Sequence, residues 1–102
     1  MVKRGQKLTN GWVYVVSNPA WPGYSKVGHA LRLDRRLGSY NTSSPFRDYV
    51  VEYAVYTADR LSLERRVHDC LNGLRVDGEW FQIHPEDAQR ILSQAFKDTF
   101  YE

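Results

Sequence analysis

Residues 13–28, VYVVSNPAWPGYSKVG, decide how this chain begins to fold. A run of β-branched and aromatic residues over 12–17 stops at Asn18-Pro19, a pair that favours a turn. Extended character returns over 24–29 after Pro22-Gly23, so the two runs predict an antiparallel hairpin with a longer loop. Tyr14 and Lys26 then lie on neighbouring strands, a phenol near an ammonium.

Outward from the hairpin, residues 31–41 suit a helix. Leu33, Leu37 and Tyr40 recur at i, i+4 and i+7 and mark its buried side, and Ser43-Ser44-Pro45 ends it. Residues 49–57, YVVEYAVYT, carry the strongest strand signal and predict either a central strand or a long flank of the sheet. A second helix is expected from Asp59, as N-cap, to Asn72, with Gly73 as a left-handed stop. The segment VDGEWFQI turns at Asp77-Gly78 and continues as a short extended piece. Pro85, followed by Glu86 and Asp87, opens a third helix whose Ala88, Ile91, Leu92, Ala95 and Thr99 share one face as a structural cover.

A length of 102 residues with 42% hydrophobic content supports one domain over 11–102, preceded by a polar, basic arm over 1–10 that carries Lys3, Arg4 and Lys7. The formal charge of +2 does not by itself announce a nucleic-acid protein, so charge must be judged locally. The single cysteine, Cys70, excludes an internal disulfide and a CxxC metal site. No apolar run approaches the roughly 18 to 20 residues of a membrane span, and the first residues lack a signal-type apolar segment. The expectation is an intracellular, cytoplasmic protein of a bacterial host or phage-infected cell, without membrane or small-molecule cofactor.

Two polar features disturb the apolar pattern. On the second helix Leu61, Leu63, Val67, Cys70, Leu71 and Leu74 form one arc, and Glu64 falls near its middle with His68 one turn later. A carboxylate facing apolar neighbours loses hydration worth several kcal/mol unless a cation or metal meets it. On the first helix Arg36 sits on the shoulder of the buried face, with Arg32 one turn earlier.

Taken in order, these residues resemble the GIY-YIG nuclease superfamily, in particular its small phage and bacterial branch with lysine in place of the second tyrosine. Trp12-Val13-Tyr14 stands at the first motif, Lys26-Val27-Gly28 at the second, Arg36 at the arginine of the first helix, Leu63-Glu64 at the metal-binding helix, and Gly78-Glu79-Trp80-Phe81 at a closing GEWF-like motif. The resemblance covers about residues 11–83. It implies an α+β fold, a small three-stranded antiparallel sheet flanked by helices, and a DNA endonuclease that uses Mg²⁺ or Mn²⁺.

Under that resemblance Tyr14 is the general base, primed by Lys26, because an adjacent ammonium favours the phenolate. Arg36 clamps phosphate oxygens, Glu64 holds the metal, and His68 contacts phosphate or orients water. His29 and Arg32 are candidate substrate-binding groups. Glu79 lies outside this set, Trp80 and Phe81 read as core closure, and Trp21 is the aromatic freer to meet nucleic acid. The expected partner is duplex DNA. With no added specificity domain, sequence selection is expected to be weak or to come from a homodimer or a separate partner. The alternatives are a noncatalytic nucleic-acid-binding module and a phage-encoded interaction protein on the same fold.

Overall fold

A computed structural model describes residues 9–99. In chain order it contains β1 (Gly11–Ser17), β2 (Ser25–Ala30), α1 (Leu33–Thr42), β3 (Val50–Thr57), α2 (Arg60–Leu71), a 3₁₀ turn (Asn72–Leu74), β4 (Arg75–Asp77), β5 (Trp80–Phe81) and α3 (Pro85–Asp98). The strands make one sheet in the order β3-β1-β2-β5-β4, with every pairing antiparallel. The α+β class agrees with expectation, but the sheet has five strands and not three. The two additional strands are a miniature hairpin of three and two residues on the outer edge of β2, too short for any periodicity to reveal.

The period of two along β1 divides the molecule. Val13 and Val15 enter the main core with Val27, Val55, Leu63, Val67, Leu71, Phe81, Ala88, Leu92 and Ala95, against α2 and α3. Tyr14 and Val16 face the other way, toward a smaller cluster with Ala30, Leu33, Tyr40, Tyr49, Val51 and Ala54, where α1 lies. β3 is an edge strand, which decides between the two expected placements. Its register against β1 shifts between Val15 and Val16, so Glu52 is the extra residue of a bulge.

Asp59 caps α2, its carboxylate accepting from the Ser62 amide at 3.1 Å. The expected stop at Gly73 is different: the helix tightens into the 3₁₀ turn, and the described glycines with positive φ are Gly23 and Gly78. Leu61, Cys70 and Leu74, expected on the apolar arc, are exposed because α2 buries only the narrower stripe of Leu63, Val67 and Leu71.

The basic arm expected over 1–10 falls mostly outside the described residues. Its last two residues are anchored: the Arg60 amide donates to the Thr9 carbonyl at 2.8 Å, and the Asn10 amide nitrogen donates to the Tyr56 hydroxyl. No helix among the described residues is long and apolar enough to cross a membrane.

Candidate active site

β5 pairs with β2 only at Ser25 and Lys26, so the outer edge of β2 is left without a strand partner beyond that point. Two elements occupy the space. The β4–β5 turn, where Gly78 takes φ +54°, delivers Glu79, whose carbonyl accepts from the Val27 amide at 3.0 Å. From the other side α2 offers Arg60, Glu64 and His68, spaced at i, i+4 and i+8 on one helical stripe. His68 Nε2 donates to the Val27 carbonyl at 2.8 Å, and Arg60 Nε donates to His29 Nδ1 at 3.2 Å. Glu64, between these two anchors, is aimed at the edge itself.

On the α1 side of β2, Tyr14 lies directly across from Gly28. The missing side chain is what lets the phenol cross the strand. A Cβ on Gly28 would stand 2.5 Å from Tyr14 Oη and 3.0 Å from Glu79 Oε1, so the phenol and the carboxylate converge above one glycine. Tyr14 is fully buried, and its hydroxyl lies 2.5 Å from that of Tyr40 on α1.

Four sequence-predicted groups therefore gather around one residue outside that set, Glu79. Lys26 Nζ is 3.9 Å from Glu79 Oε1. The Glu79 carboxylate acts on Glu64, and Arg36 acts electrostatically on Tyr14, Tyr40 and Glu64 alike. Glu64 is half-buried, and its Oε2 is completely buried with no hydrogen-bond partner. Burial first, then the facing Glu79 carboxylate, pushes its pKa from the ordinary 4.5 up to about 7, with Arg36 and Arg75 opposing.

Lys26 meets Glu79 and the neighbouring rings. Its ammonium pairs with Glu79 and lies over the Tyr40 ring at 4.9 Å and toward the Trp80 ring at 5.8 Å. Burial, the bond to Tyr40 and the Glu79 charge push the Tyr14 phenol well above its ordinary value, and the group drawing it down is Arg36. Tyr40, read from the sequence as a packing residue of α1, is thus a hydroxyl partner of the site. No local pattern announces that contact, since it joins residues 26 positions apart.

The remaining candidates lie beside this centre. His29 lines a cavity with Arg32, Arg35, Arg36 and Arg60. Burial and then Arg60 hold its imidazole below the usual value. Arg32 is exposed and pairs with Asp34 at 3.3 Å, which holds that carboxyl low. His68 stands behind the centre, with one ring nitrogen committed to Val27 and its ring 5.2 Å from Phe81.

The family model of the T5orf172 domain matches residues 11–96, a span that contains every residue of this arrangement. The chain belongs to the T5orf172 domain family. That is a phage-associated family in a nuclease-associated group, consistent with a nuclease-like or DNA-binding module. No curated protein and no solved structure matches this T5orf172 domain.

The Glu64–Glu79 pair has the chemistry of a hard-cation site: two carboxylates face each other, and one buried oxygen has no partner. Among the described residues no three His, Cys, Asp or Glu side chains gather as a metal cage. Magnesium suits this sparse donor set, because it keeps several waters and is commonly held by one or two carboxylates plus substrate phosphates.

Proposed function

We propose that this T5orf172 domain is a divalent-metal-dependent DNA endonuclease of the GIY-YIG type. The observation that carries the reading is the partnerless, buried Oε2 of Glu64, set against Glu79 beside the Tyr14 phenol. A carboxylate oxygen buried beside a second carboxylate is unfavourable without a positive partner. A phosphodiester with its cation supplies that partner.

Glu64 and Glu79 would hold Mg²⁺ or Mn²⁺, which supplies positive charge for the departing 3′ oxygen. Arg36, exposed at the rim, donates to the non-bridging phosphate oxygens in a bidentate geometry that lysine cannot reproduce. Tyr14 acts as its phenolate, the form that Arg36 favours and to which the Tyr40 hydroxyl donates a hydrogen bond; it orients the attacking water, takes one proton from it and returns to the neutral phenol. Lys26 fixes Glu79 and balances the carboxylate charge. His68 and Arg60 are positioning residues that hold α2, and so Glu64, against β2. The cationic cavity of His29, Arg32, Arg35 and Arg36 receives neighbouring phosphates.

Supercoiled plasmid incubated with the protein and Mg²⁺ or Mn²⁺ tests the reading. Metal-dependent nicking that disappears in Glu64→Ala is expected. Equal nicking by both proteins, or none by either, overturns it. The raised pKa of Tyr14, which keeps the phenol protonated, favours a second reading, a noncatalytic DNA-binding module. That reading predicts salt-sensitive binding that survives Glu64→Ala, with no cleavage under either metal.

A further inference from the structure

Trp80 and Phe81 diverge, as neighbours on a strand must. Phe81 is fully buried in the main core, whereas Trp80 is half-buried and turns to the face that carries Lys26. There it meets Trp21, from the β1–β2 loop, in an edge contact at 5.7 Å between ring centres. With Tyr24, Val76 and Asp77 the two indoles line an apolar cavity of about 400 Å³. Trp21 is 49% exposed and Val76 is 58% exposed, a large apolar surface for so small a domain. The loop that carries Trp21 is built to hold it. Asn18 is buried, its side-chain oxygen accepts from the Ala20 amide at 2.9 Å, and its carbonyl accepts from the Trp21 amide at 2.9 Å.

This cavity neighbours the centre described above. Trp80 follows Glu79 directly, and the Lys26 ammonium lies toward both the Trp80 and Tyr40 rings. Rings run without a break from Trp21 through Tyr49 and Tyr40 to Tyr14. Along β2 the aromatic cavity sits at the Tyr24–Lys26 end, the glycine cradle at Gly28, and the arginine-lined cavity at His29 and beyond. Three strand residues cover about 10 Å, on the order of one or two nucleotide steps of a single strand.

We infer that the Trp21–Trp80 cavity receives one unstacked nucleobase next to the phosphate held at Arg36 and Glu64, so that the preferred substrate is DNA carrying an unpaired nucleotide and not uniform duplex. Aromatic faces bind any base by stacking. Asp77, at the cavity wall, adds an acceptor for an exocyclic amino group such as that of cytosine. The occupant is a nucleotide because a stacking slot, an ammonium and a cluster of guanidiniums follow one another along a single strand of the sheet. The identity of the central phosphate rests on the nuclease reading, whereas the cavity does not.

Fluorescence anisotropy in EDTA, where no cutting can occur, separates the two. A labelled 12-nucleotide single strand is expected to bind at least tenfold more tightly than its duplex. Trp21→Ala is expected to weaken single-strand binding about tenfold or more, the scale of one lost stacking contact, and Trp21→Phe to retain most of it. Equal binding of both DNA forms by the wild type, or undiminished single-strand binding by Trp21→Ala, overturns the inference. With Mg²⁺, a duplex containing one bulged nucleotide is expected to be cut faster than a perfect duplex. Cutting of both at one rate removes the cavity from the account and leaves the nuclease standing. Selective single-strand binding without cutting under either metal removes the nuclease and leaves the cavity.

Discussion

The two faces of β1 and β2 are made from alternate residues of the same strands and have opposite characters. On the α2–α3 side Val13, Val15 and Val27 are sealed into a continuous apolar core. On the α1 side Tyr14, Lys26 and Gly28 lie under a helix with no fully buried residue of its own. One face holds the molecule together, and the other holds unfavourable groups in place. The division teaches that the site's cost, a buried phenol on one face and a partnerless carboxylate oxygen that α2 brings to the edge of β2, is offset by the main core that the same strands and α2 share.

Substitutions should separate the faces. The largest expected effect is Glu64→Ala, which reduces Mg²⁺-dependent plasmid nicking to the buffer background while leaving the circular-dichroism spectrum unchanged. Tyr14→Phe comes next, with cleavage lowered by roughly 10²- to 10⁴-fold, the usual range for a lost proton-transfer group. Gly28→Ala should lose on the order of 10²-fold in rate, because the new Cβ meets Tyr14 Oη and displaces the ring. Leu92→Ala inverts the pattern. It removes a fully buried side chain from the main core and should cost about 2 to 5 kcal/mol in denaturant unfolding, with the activity of the folded fraction retained. A Leu92→Ala protein of unchanged stability, or a Gly28→Ala protein of unchanged rate, would break the comparison.

The smallest effect sharpens it. Glu64 titrates near 4.5 when unfolded and about 7 when folded, so between these values the folded state holds the proton more tightly. Its contribution to stability is complete below pH 4.5 and is lost as pH rises through about 7. Tm of the wild type should therefore fall relative to Glu64→Gln between pH 5 and 8. Added Mg²⁺ should recover part of that loss at pH 8 in the wild type and not in the variant. A Tm difference that stays constant across this window would contradict the burial argument.

Much of the fold was legible because long elements repeat their pattern. The hairpin, the strand over 50–57, the Asp59 cap and the Pro85 start all follow from local residue choices. The turn at Asp77-Gly78 and the extended piece after it were legible too, but not their pairing as β4 and β5 on the edge of β2, because strands of three and two residues have no period to read. Glu79 escaped for the same reason: its position depends on how a two-residue strand docks on β2, a non-local event. The proximity of Tyr14 to Lys26 could be read from the hairpin, but the preference of the ammonium for Glu79 and the Tyr40 ring could not. Glu64 stood out because a carboxylate on an apolar stripe breaks a local pattern, and such breaks are where sites become visible in a sequence.

The central claim is that Glu64 and Glu79 act as one unit, and a double-mutant cycle on Mg²⁺-dependent cleavage tests it most directly. The expected result is that Glu64→Gln and Glu79→Gln each lower the rate nearly as far as the double variant does. Multiplicative losses in the double variant, or a Glu79→Gln protein that cleaves at the wild-type rate, would contradict it.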